Sequence, residues 1–293
     1  SEQQYKDLCY FEGNANGFKI ISENKAGIKG GLRLSYATLG AFTKYPRKSI
    51  IAEKSNDIKD KKFGFFYSQN SFFDEVANEL GMVDSKGEYM RHPLAFLVEA
   101  ADDICYTLID FEDGINLGWI SEEYALEFLI RLVKDSIDTK KYKSLEHKND
   151  RVAYLRALSV NTLINDTVKI FLKNEEKILN GQFTKTLLSE SVFKAQMNDI
   201  INISVEKVYQ SKEVIEKELK GYQVIHKLLS VFIKAAVNNQ SNNTTALDDL
   251  VLSSLPKAYI HKDGNLYDQL LDISCFVASL TDGNALEWYN KIS

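Results

Sequence analysis

Apolar residues recur at three- and four-residue intervals along most of the chain, in long stretches without proline or glycine. Residues with this spacing share one face of an α-helix, where they can pack into a core. Only 3 prolines interrupt the 293 residues, and proline is the residue that most reliably ends a helix. The pattern therefore predicts an all-α protein, a bundle of many helices.

The most regular helical pattern runs from Pro93 to Gly114. Proline is well tolerated in a first turn, because the amide there has no helical acceptor. A shorter helix is predicted from Leu32 up to Pro46, since the residue before a proline avoids the helical region. Residues 11–30 contain four glycines, with a fifth at position 31, and predict a loop. Further helices are expected at about 148–178, 186–200, 204–238 and 265–291.

Helix ends can also be located from capping residues. Asn70 or Ser71 is expected to begin a helix, with Asp74 placed as in a capping box, and Gly81 can supply its left-handed end. Ser121 is expected to cap the helix that follows the long one. Residues 47–62, rich in Lys, Asp and Ser, are expected to be exposed, and 238–245 to be a loop.

Composition limits the class of protein. A hydrophobic content of 44% allows a sizeable core, as one large domain or two closely packed ones. The net charge of -5 excludes nucleic-acid binding through an overall basic field and leaves only a local patch. The 3 cysteines are far apart, which favours reduced thiols in a cytoplasmic protein. No secretory signal and no long uncharged apolar run is present, so we expect no membrane association.

The long predicted helix carries an unusual set of polar residues. Asp102, Tyr106 and Asp110 are spaced i, i+4 and i+8, which places them on one face. Carboxylate oxygens suit a divalent cation, and an aromatic ring can contact a sugar or base. For an arbitrary helix, a solvated acidic face is the better interpretation. Three acids, Glu99, Asp102 and Asp103, lie within an otherwise apolar run, which favours a function because a buried charge needs a partner.

The stretch 91–113, RHPLAFLVEAADDICYTLIDFED, resembles the signature of bacterial dGTP triphosphohydrolases, a family of the HD-domain phosphohydrolases. FEGNA at 11–15, and GLRLSYATL at 31–39 with KYP at 44–46, resemble two further family segments in the same order. Weaker similarity covers 151–164, 213–229 and 279–289, and the chain departs from the family pattern at Asn16 and Arg33.

The resemblance implies an HD-type helical bundle that lacks its N-terminal helices, as in the C-terminal portion of such an enzyme. Residues 1–120 would be the remainder of the catalytic domain and 121–293 a closely packed C-terminal helical domain. The implied reaction hydrolyses a deoxynucleoside triphosphate, with dGTP expected, to deoxynucleoside and inorganic triphosphate. Base preference and activator stay open.

Site residues follow from the same resemblance. Asp102 matches the catalytic aspartate that, with a first His and a His-Asp pair, binds a divalent metal such as Mg, Mn or Co. Tyr106 would pack against the deoxyribose, and Asp110 would accept a hydrogen bond from the 3′-hydroxyl. Substrate contacts are further implied for Asn14, near the sugar and phosphates, and for Lys44, Tyr45 and Lys62, at the triphosphate. Lys61 is an alternative to Lys62.

Ordinary structural roles remain open for the same residues when the resemblance is set aside. Tyr106 could equally be a core aromatic, and Asn14 could stabilise a turn beside a glycine. Lys44 and Lys62 could be ordinary surface lysines. None of the 4 histidines is followed by Asp. We therefore expect this chain alone to be inactive, with the first His and the His-Asp pair on a preceding segment.

Partners are implied by the resemblance as well. They are a dNTP substrate, a homo-oligomer that could be a hexamer, and a single-stranded DNA or nucleotide effector. Two alternative functions stay open. The first is a catalytically inactive helical module for nucleotide binding or oligomerisation. The second is an acidic cation-binding face unrelated to nucleotides.

Overall fold

The computed structural model describes residues 1–23, 32–50, 57–259 and 264–292. Within these ranges the chain forms fourteen α-helices and no β-strand, apart from one isolated bridge between Val83 and Tyr89. The all-α prediction is confirmed. The helices are α1 (Glu2–Cys9), α2 (Gly13–Ser22), α3 (Tyr36–Phe42), α4 (Asn70–Glu79), α5 (Pro93–Asn116), α6 (Glu122–Val133), α7 (Thr139–Ser144), α8 (Lys148–Lys173), α9 (Glu175–Leu179), α10 (Lys194–Ser204), α11 (Lys212–Gln240), α12 (Ala246–Ser254), α13 (Leu266–Ser279) and α14 (Asp282–Ile292).

The chain forms two compact units. Unit 1 combines Ser1–Met90 with Lys217–Ser293, and unit 2 is Arg91–Glu216. Unit 1 is discontinuous because the C-terminal helices return to the N-terminal ones. For example, the Tyr267 hydroxyl on α13 donates to Asp7 on α1 at 2.6 Å. These bounds differ from the predicted division at residue 120. That division concerns where the catalytic domain ends, and it stays a prediction.

Unit 2 is built around the long helix predicted from Pro93. Helix α5 packs against α8 and α10, and α6 packs against α8. The apolar face of α5 is fully buried, and each such side chain contributes about 1.5–3 kcal/mol of hydrophobic free energy relative to exposure. The buried residues of this face are Ile104, Leu108, Phe111 and Ile115. Because they occupy one side of α5, the polar residues between them are directed elsewhere on the helix.

Unit 1 has an aromatic core. Phe65 and Phe73 stack with their ring centroids 4.2 Å apart, and Phe18 meets the Phe73 ring edge-on at 5.5 Å. All three rings are inaccessible to solvent. They join α2, α4 and the segment before α4, so the N-terminal half of unit 1 is held together by ring packing.

The loop predicted for residues 11–30 is wrong in its first part, which forms α2. Glu12 caps this helix, and Ala15 and Phe18 are completely buried. Gly17 lowers the intrinsic helix propensity, but a side chain there would meet the Phe42 ring at 2.8 Å. The glycine is therefore explained by close packing rather than by a turn. Residues 24–31 lie outside the described part of the chain.

Several helix ends differ from the sequence prediction. Helix α3 begins at Tyr36 rather than Leu32, with Ser35 as its cap, and α4 has Gln69 rather than Asn70 or Ser71 at its cap position. The left-handed Gly81, with φ of 64°, is confirmed. Of the exposed segment predicted at 47–62, Ser49 is buried, and 51–56 lie outside the described residues.

The later stretches predicted as helices are largely helical, but each is divided into more than one element or begins at a different residue. The stretch 186–200 becomes helical as α10 only at Lys194, and the stretch from 204 is interrupted by a π-helix at Val205–Tyr209 before α11. Ser121 occupies the cap position of α6 without a side-chain hydrogen bond. Among the described helices, none is both long enough and apolar enough to cross a bilayer.

Candidate functional site

Helix α5 begins at a well-fixed point in unit 2. His92 occupies its cap position, and the imidazole Nδ1 accepts from the Leu94 amide at 3.2 Å. Arg91, just before the cap, pairs with Glu99 one and a half turns into the helix, Nη2 to Oε2 at 3.0 Å. Both side chains are almost fully buried, and the Arg91 guanidinium lies 4.2 Å above the Phe96 ring. One of the three clustered acids is therefore accounted for structurally.

The three predicted residues of α5 share one face, at i, i+4 and i+8. Asp102 and Asp110 are half-buried, and the Tyr106 ring is 65% exposed. Within the described residues the Tyr106 ring is therefore not part of a core, since a packed ring would be shielded. The face therefore presents a carboxylate, an open aromatic ring and a second carboxylate along one line.

Tyr209 is a neighbour of this face that the sequence analysis did not single out. It ends the π-helix, and its hydroxyl donates to Oδ2 of Asp110. Burial, together with this hydrogen bond, raises the pKa of Tyr209 to about 12. The hydroxyl therefore keeps its proton at neutral pH and donates a hydrogen bond to Asp110. No local signal could have identified it, because 99 residues separate it from Asp110.

In unit 1, Glu12 contacts two of the predicted substrate residues, Asn14 and Lys62. Its Oε1 accepts from the side-chain amide of Asn14 at 2.8 Å and from the Lys62 ammonium at 3.4 Å. Asn14, in the first turn of α2, thus shares its Glu12 partner with a cation. Both Lys61 and Lys62 are exposed, and Lys62 is the one whose ammonium reaches Glu12. Glu12 lies within the FEGNA motif, two residues before Asn14, so its helix-capping position was the available signal.

Lys44 and Tyr45 follow α3 and lie next to the segment that carries Lys62. A side chain on Gly64 would come 2.2 Å from the Tyr45 carbonyl oxygen, so only glycine permits this approach. The Gly64 amide also donates to the Arg47 carbonyl at 3.1 Å. Tyr45 is buried and Lys44 is half-buried. Unit 1 therefore brings the 44–47 and 62–64 segments together through backbone contact.

A metal site was expected at Asp102. In the described ranges, no group of three or more His, Cys, Asp or Glu side chains is arranged to hold a metal ion. Among the histidines, His92 uses Nδ1 as a helix cap, and His261 lies outside the described residues. The described residues thus do not fit a complete divalent site, since such sites need several convergent ligands.

The predicted residues therefore form two groups, one in each unit. Asp102, Tyr106 and Asp110 lie on one face of α5 in unit 2. In unit 1, Asn14 and Lys62 meet at Glu12, and Lys44 and Tyr45 adjoin the segment after Lys62. Their assignment to substrate and metal stays a prediction.

Comparisons with curated proteins find relatives over nearly the whole chain. A deoxyguanosinetriphosphate triphosphohydrolase-like protein of Synechocystis sp. is 32% identical over 296 residues, covering 98% of this chain and 66% of the relative. A protein with the same description from Pseudomonas aeruginosa is 32% identical over 302 residues, covering 100% of this chain and 68% of the relative. A deoxyguanosinetriphosphate triphosphohydrolase of Serratia proteamaculans is 30% identical over 245 residues, covering 77% of this chain and 47% of the relative. No protein-family profile matches the chain.

Proposed function

Because the chain belongs to the deoxyguanosinetriphosphate triphosphohydrolase family, we propose that the natural full-length protein containing it hydrolyses a deoxynucleoside triphosphate. The products would be the deoxynucleoside and inorganic triphosphate, and dGTP is the expected substrate. The chain spans about two thirds of the length of the first relatives named above. Activity, substrate and partners of the whole protein are therefore part of this proposal.

The single observation that supports the proposal best is the polar face of α5. Asp102, Tyr106 and Asp110 are aligned on a helix whose opposite side is fixed in the core of unit 2. The exposed Tyr106 ring is able to pack against C2′ of a deoxyribose, where a ribose hydroxyl would crowd it. The Asp110 carboxylate is able to accept a hydrogen bond from the 3′-hydroxyl.

By the family resemblance, Asn14, Lys44, Tyr45 and Lys62 would contact the charged part of the substrate. A triphosphate leaving group carries several negative charges, which lysine ammonium groups compensate. Lys44 and Lys62 supply such charges. The close backbone contact between Tyr45 and Gly64 holds their two segments together, and the Asn14 side-chain amide is a further hydrogen-bond donor. Glu12 lies 3.4 Å from the Lys62 ammonium, so in this proposal the ammonium exchanges a carboxylate partner for a phosphate.

A divalent metal, Mg, Mn or Co, remains part of the proposal for the natural protein, with Asp102 as one ligand. The described residues do not complete its ligand set. Assembly as a homo-oligomer and a single-stranded DNA or nucleotide effector are likewise part of the proposal and rest on the family resemblance alone.

The alternative function is a catalytically inactive helical module that binds nucleotides or mediates oligomerisation. It is favoured by one observation, the lack of a three-ligand metal group within the described ranges. Both functions need the same helices. They differ in whether a bond in the nucleotide is broken.

The test is release of inorganic triphosphate from each of the four dNTPs by the natural full-length protein, with Mg, Mn or Co added in turn. We expect release from dGTP, and we expect Asp102→Ala to abolish it. Asp199→Ala is the matched control, because Asp199 is an exposed acid on α10 in the same unit. No release from any dNTP with any of the three metals would replace the enzyme proposal by the module. Full activity of Asp102→Ala would refute the role of Asp102.

A further inference from the structure

The contact between Tyr209 and Asp110 joins two parts of unit 2 that are distant in sequence. The Tyr209 hydroxyl donates to Oδ2 of Asp110, the carboxylate that lies two helical turns after Asp102 on α5. Tyr209 is 44% exposed, so this hydrogen bond is accessible from solvent rather than sealed within the core. A ligand could therefore reach the carboxylate that Tyr209 engages.

The backbone around Tyr209 is specialised. It ends a five-residue π-helix, Val205–Tyr209, that continues directly from α10. Such segments are rare, because their wider turn packs less well, and they are frequent at functional sites. One extra residue in the turn changes the direction in which the following side chain points. The local geometry thus directs Tyr209 toward α5.

Close packing fixes this direction. A side chain on Gly114, one turn after Asp110 on α5, would meet Val208 at 2.7 Å and Ile120 at 2.8 Å. Val208 is buried and precedes Tyr209 directly. The π-helix therefore packs against α5 beside Asp110, which fixes the backbone position from which Tyr209 extends.

Tyr106 and Tyr209 both border a cavity of about 400 Å³ within unit 2. Hydroxyl residues that include Thr107 and Ser204 also line it. A cavity of this size accommodates a small polar ligand. The sugar-contact residue of the proposed function and the newly identified tyrosine thus face one open space.

We propose that Tyr209 is a positioning residue that sets discrimination at the 3′-position of the nucleotide sugar. By engaging Oδ2, its hydroxyl orients the Asp110 carboxylate so that Oδ1 accepts the substrate 3′-hydroxyl. A carboxylate has enough lone pairs for both hydrogen bonds. This inference rests on the proposed function, because Asp110 must read the 3′-hydroxyl for Tyr209 to matter. The raised pKa of Tyr209, about 12, keeps its proton in place at neutral pH.

A purely structural role for Tyr209 makes a different prediction. If the hydroxyl only holds the π-helix against α5, its removal lowers the stability of the protein and weakens the binding of all nucleotides alike. If it orients Asp110, its removal selectively weakens the binding of nucleotides that carry a 3′-hydroxyl. The ratio of two dissociation constants separates these cases, since general damage cancels in the ratio.

The experiment measures binding of the α-thio analogues of dGTP and 2′,3′-dideoxy-GTP to the natural full-length protein, because sulfur at the α-phosphorus slows attack there. The proteins compared are the wild type, Tyr209→Phe, Asp110→Asn and the double variant. We expect the wild type to favour the deoxy analogue about tenfold, in keeping with a hydrogen bond to a charged acceptor. Tyr209→Phe should reduce this preference to about threefold, and Asp110→Asn should remove it. Adding Tyr209→Phe to Asp110→Asn should change nothing further.

Tyr124→Phe is the matched control, because it removes a hydroxyl from another half-exposed tyrosine of unit 2 and should keep the wild-type ratio. A wild-type ratio in Tyr209→Phe, or equal weakening of both analogues, overturns the inference and leaves the proposed function intact. Equal binding of both analogues by the wild type also overturns it, and release of triphosphate from dGTP by the same preparation then shows whether the proposed function survives. Absence of both binding and release overturns both.

Discussion

The Arg91 guanidinium and the Glu99 carboxylate lie 3.0 Å apart, with each side chain less than one-tenth exposed. The pair connects the residue before the α5 cap to the second turn of the helix. The Phe96 ring, 4.2 Å below the guanidinium, closes the other side. The beginning of the helix that carries Asp102 is therefore fixed by a buried ion pair.

Removing the charge of Glu99 is expected to destabilise unit 2 strongly. Glu99→Gln leaves the Arg91 cation buried without a counter-charge, which costs about 3 kcal/mol. The free energy of unfolding in urea measures the effect. Glu127→Gln is the control, because its pair with Arg131 is more than half exposed and should contribute less than about 0.5 kcal/mol. Equal losses in the two variants would contradict the assigned role of burial.

Gly64 is expected to tolerate no side chain. A methyl group there would lie 2.2 Å from the Tyr45 carbonyl oxygen, a backbone atom that cannot rotate away. Gly64→Ala should therefore cost about 3 kcal/mol, the upper range for overpacking. Gly221→Ala, inside α11 with no atom within 4 Å of the added carbon, should instead stabilise by about 0.5–1 kcal/mol. Thermal unfolding of both variants checks the difference in sign.

The cap of α5 is expected to make stability depend on pH. Burial lowers the pKa of His92 below its ordinary value of 6.5, so the unfolded chain binds the proton more readily than the folded chain. The contribution is fully present above pH 6.5 and is lost as the pH falls through the lower folded value. A protonated Nδ1 cannot accept from the Leu94 amide, and a positive charge is unfavourable at a helix N-terminus.

His92→Asn provides the comparison for this pH effect, because asparagine caps helices well and does not titrate. Urea unfolding of both proteins at pH about 7.5 and about 5.5 gives the difference, with other titrating groups cancelling. The wild type should lose more stability than the variant at the lower pH. Parallel losses would show that His92 does not titrate in this window.

Tyr106 is expected to determine the preference for deoxyribose. Tyr106→Ala removes the exposed ring and should reduce the ratio of kcat/KM for dGTP over GTP by about tenfold, because only the ring crowds a 2′-hydroxyl. Tyr106→Phe is the matched control and should keep the ratio. An unchanged ratio in the alanine variant would remove the sugar contact from the proposal.

Much of the fold follows from local sequence alone. The position of α5 was predictable from Pro93 and the apolar spacing behind it, and the Gly81 turn from its lack of a side chain. The alignment of Asp102, Tyr106 and Asp110 follows from helical geometry once that helix is assigned. The family was recognisable because its motifs occur in order along the chain.

Tertiary packing decided the features that no local pattern contains. Helix α2 forms although its glycines disfavour a helix, because Phe18 is buried by side chains from other segments. Tyr209 reaches Asp110 across 99 residues, through a π-helix that local spacing does not distinguish from an α-helix. The periodicity of apolar residues involves positions only one helical turn apart, and so the sequence alone reveals it. Contacts such as that between Gly64 and Tyr45 depend on which surfaces meet after the helices have packed, and only the folded structure determines them.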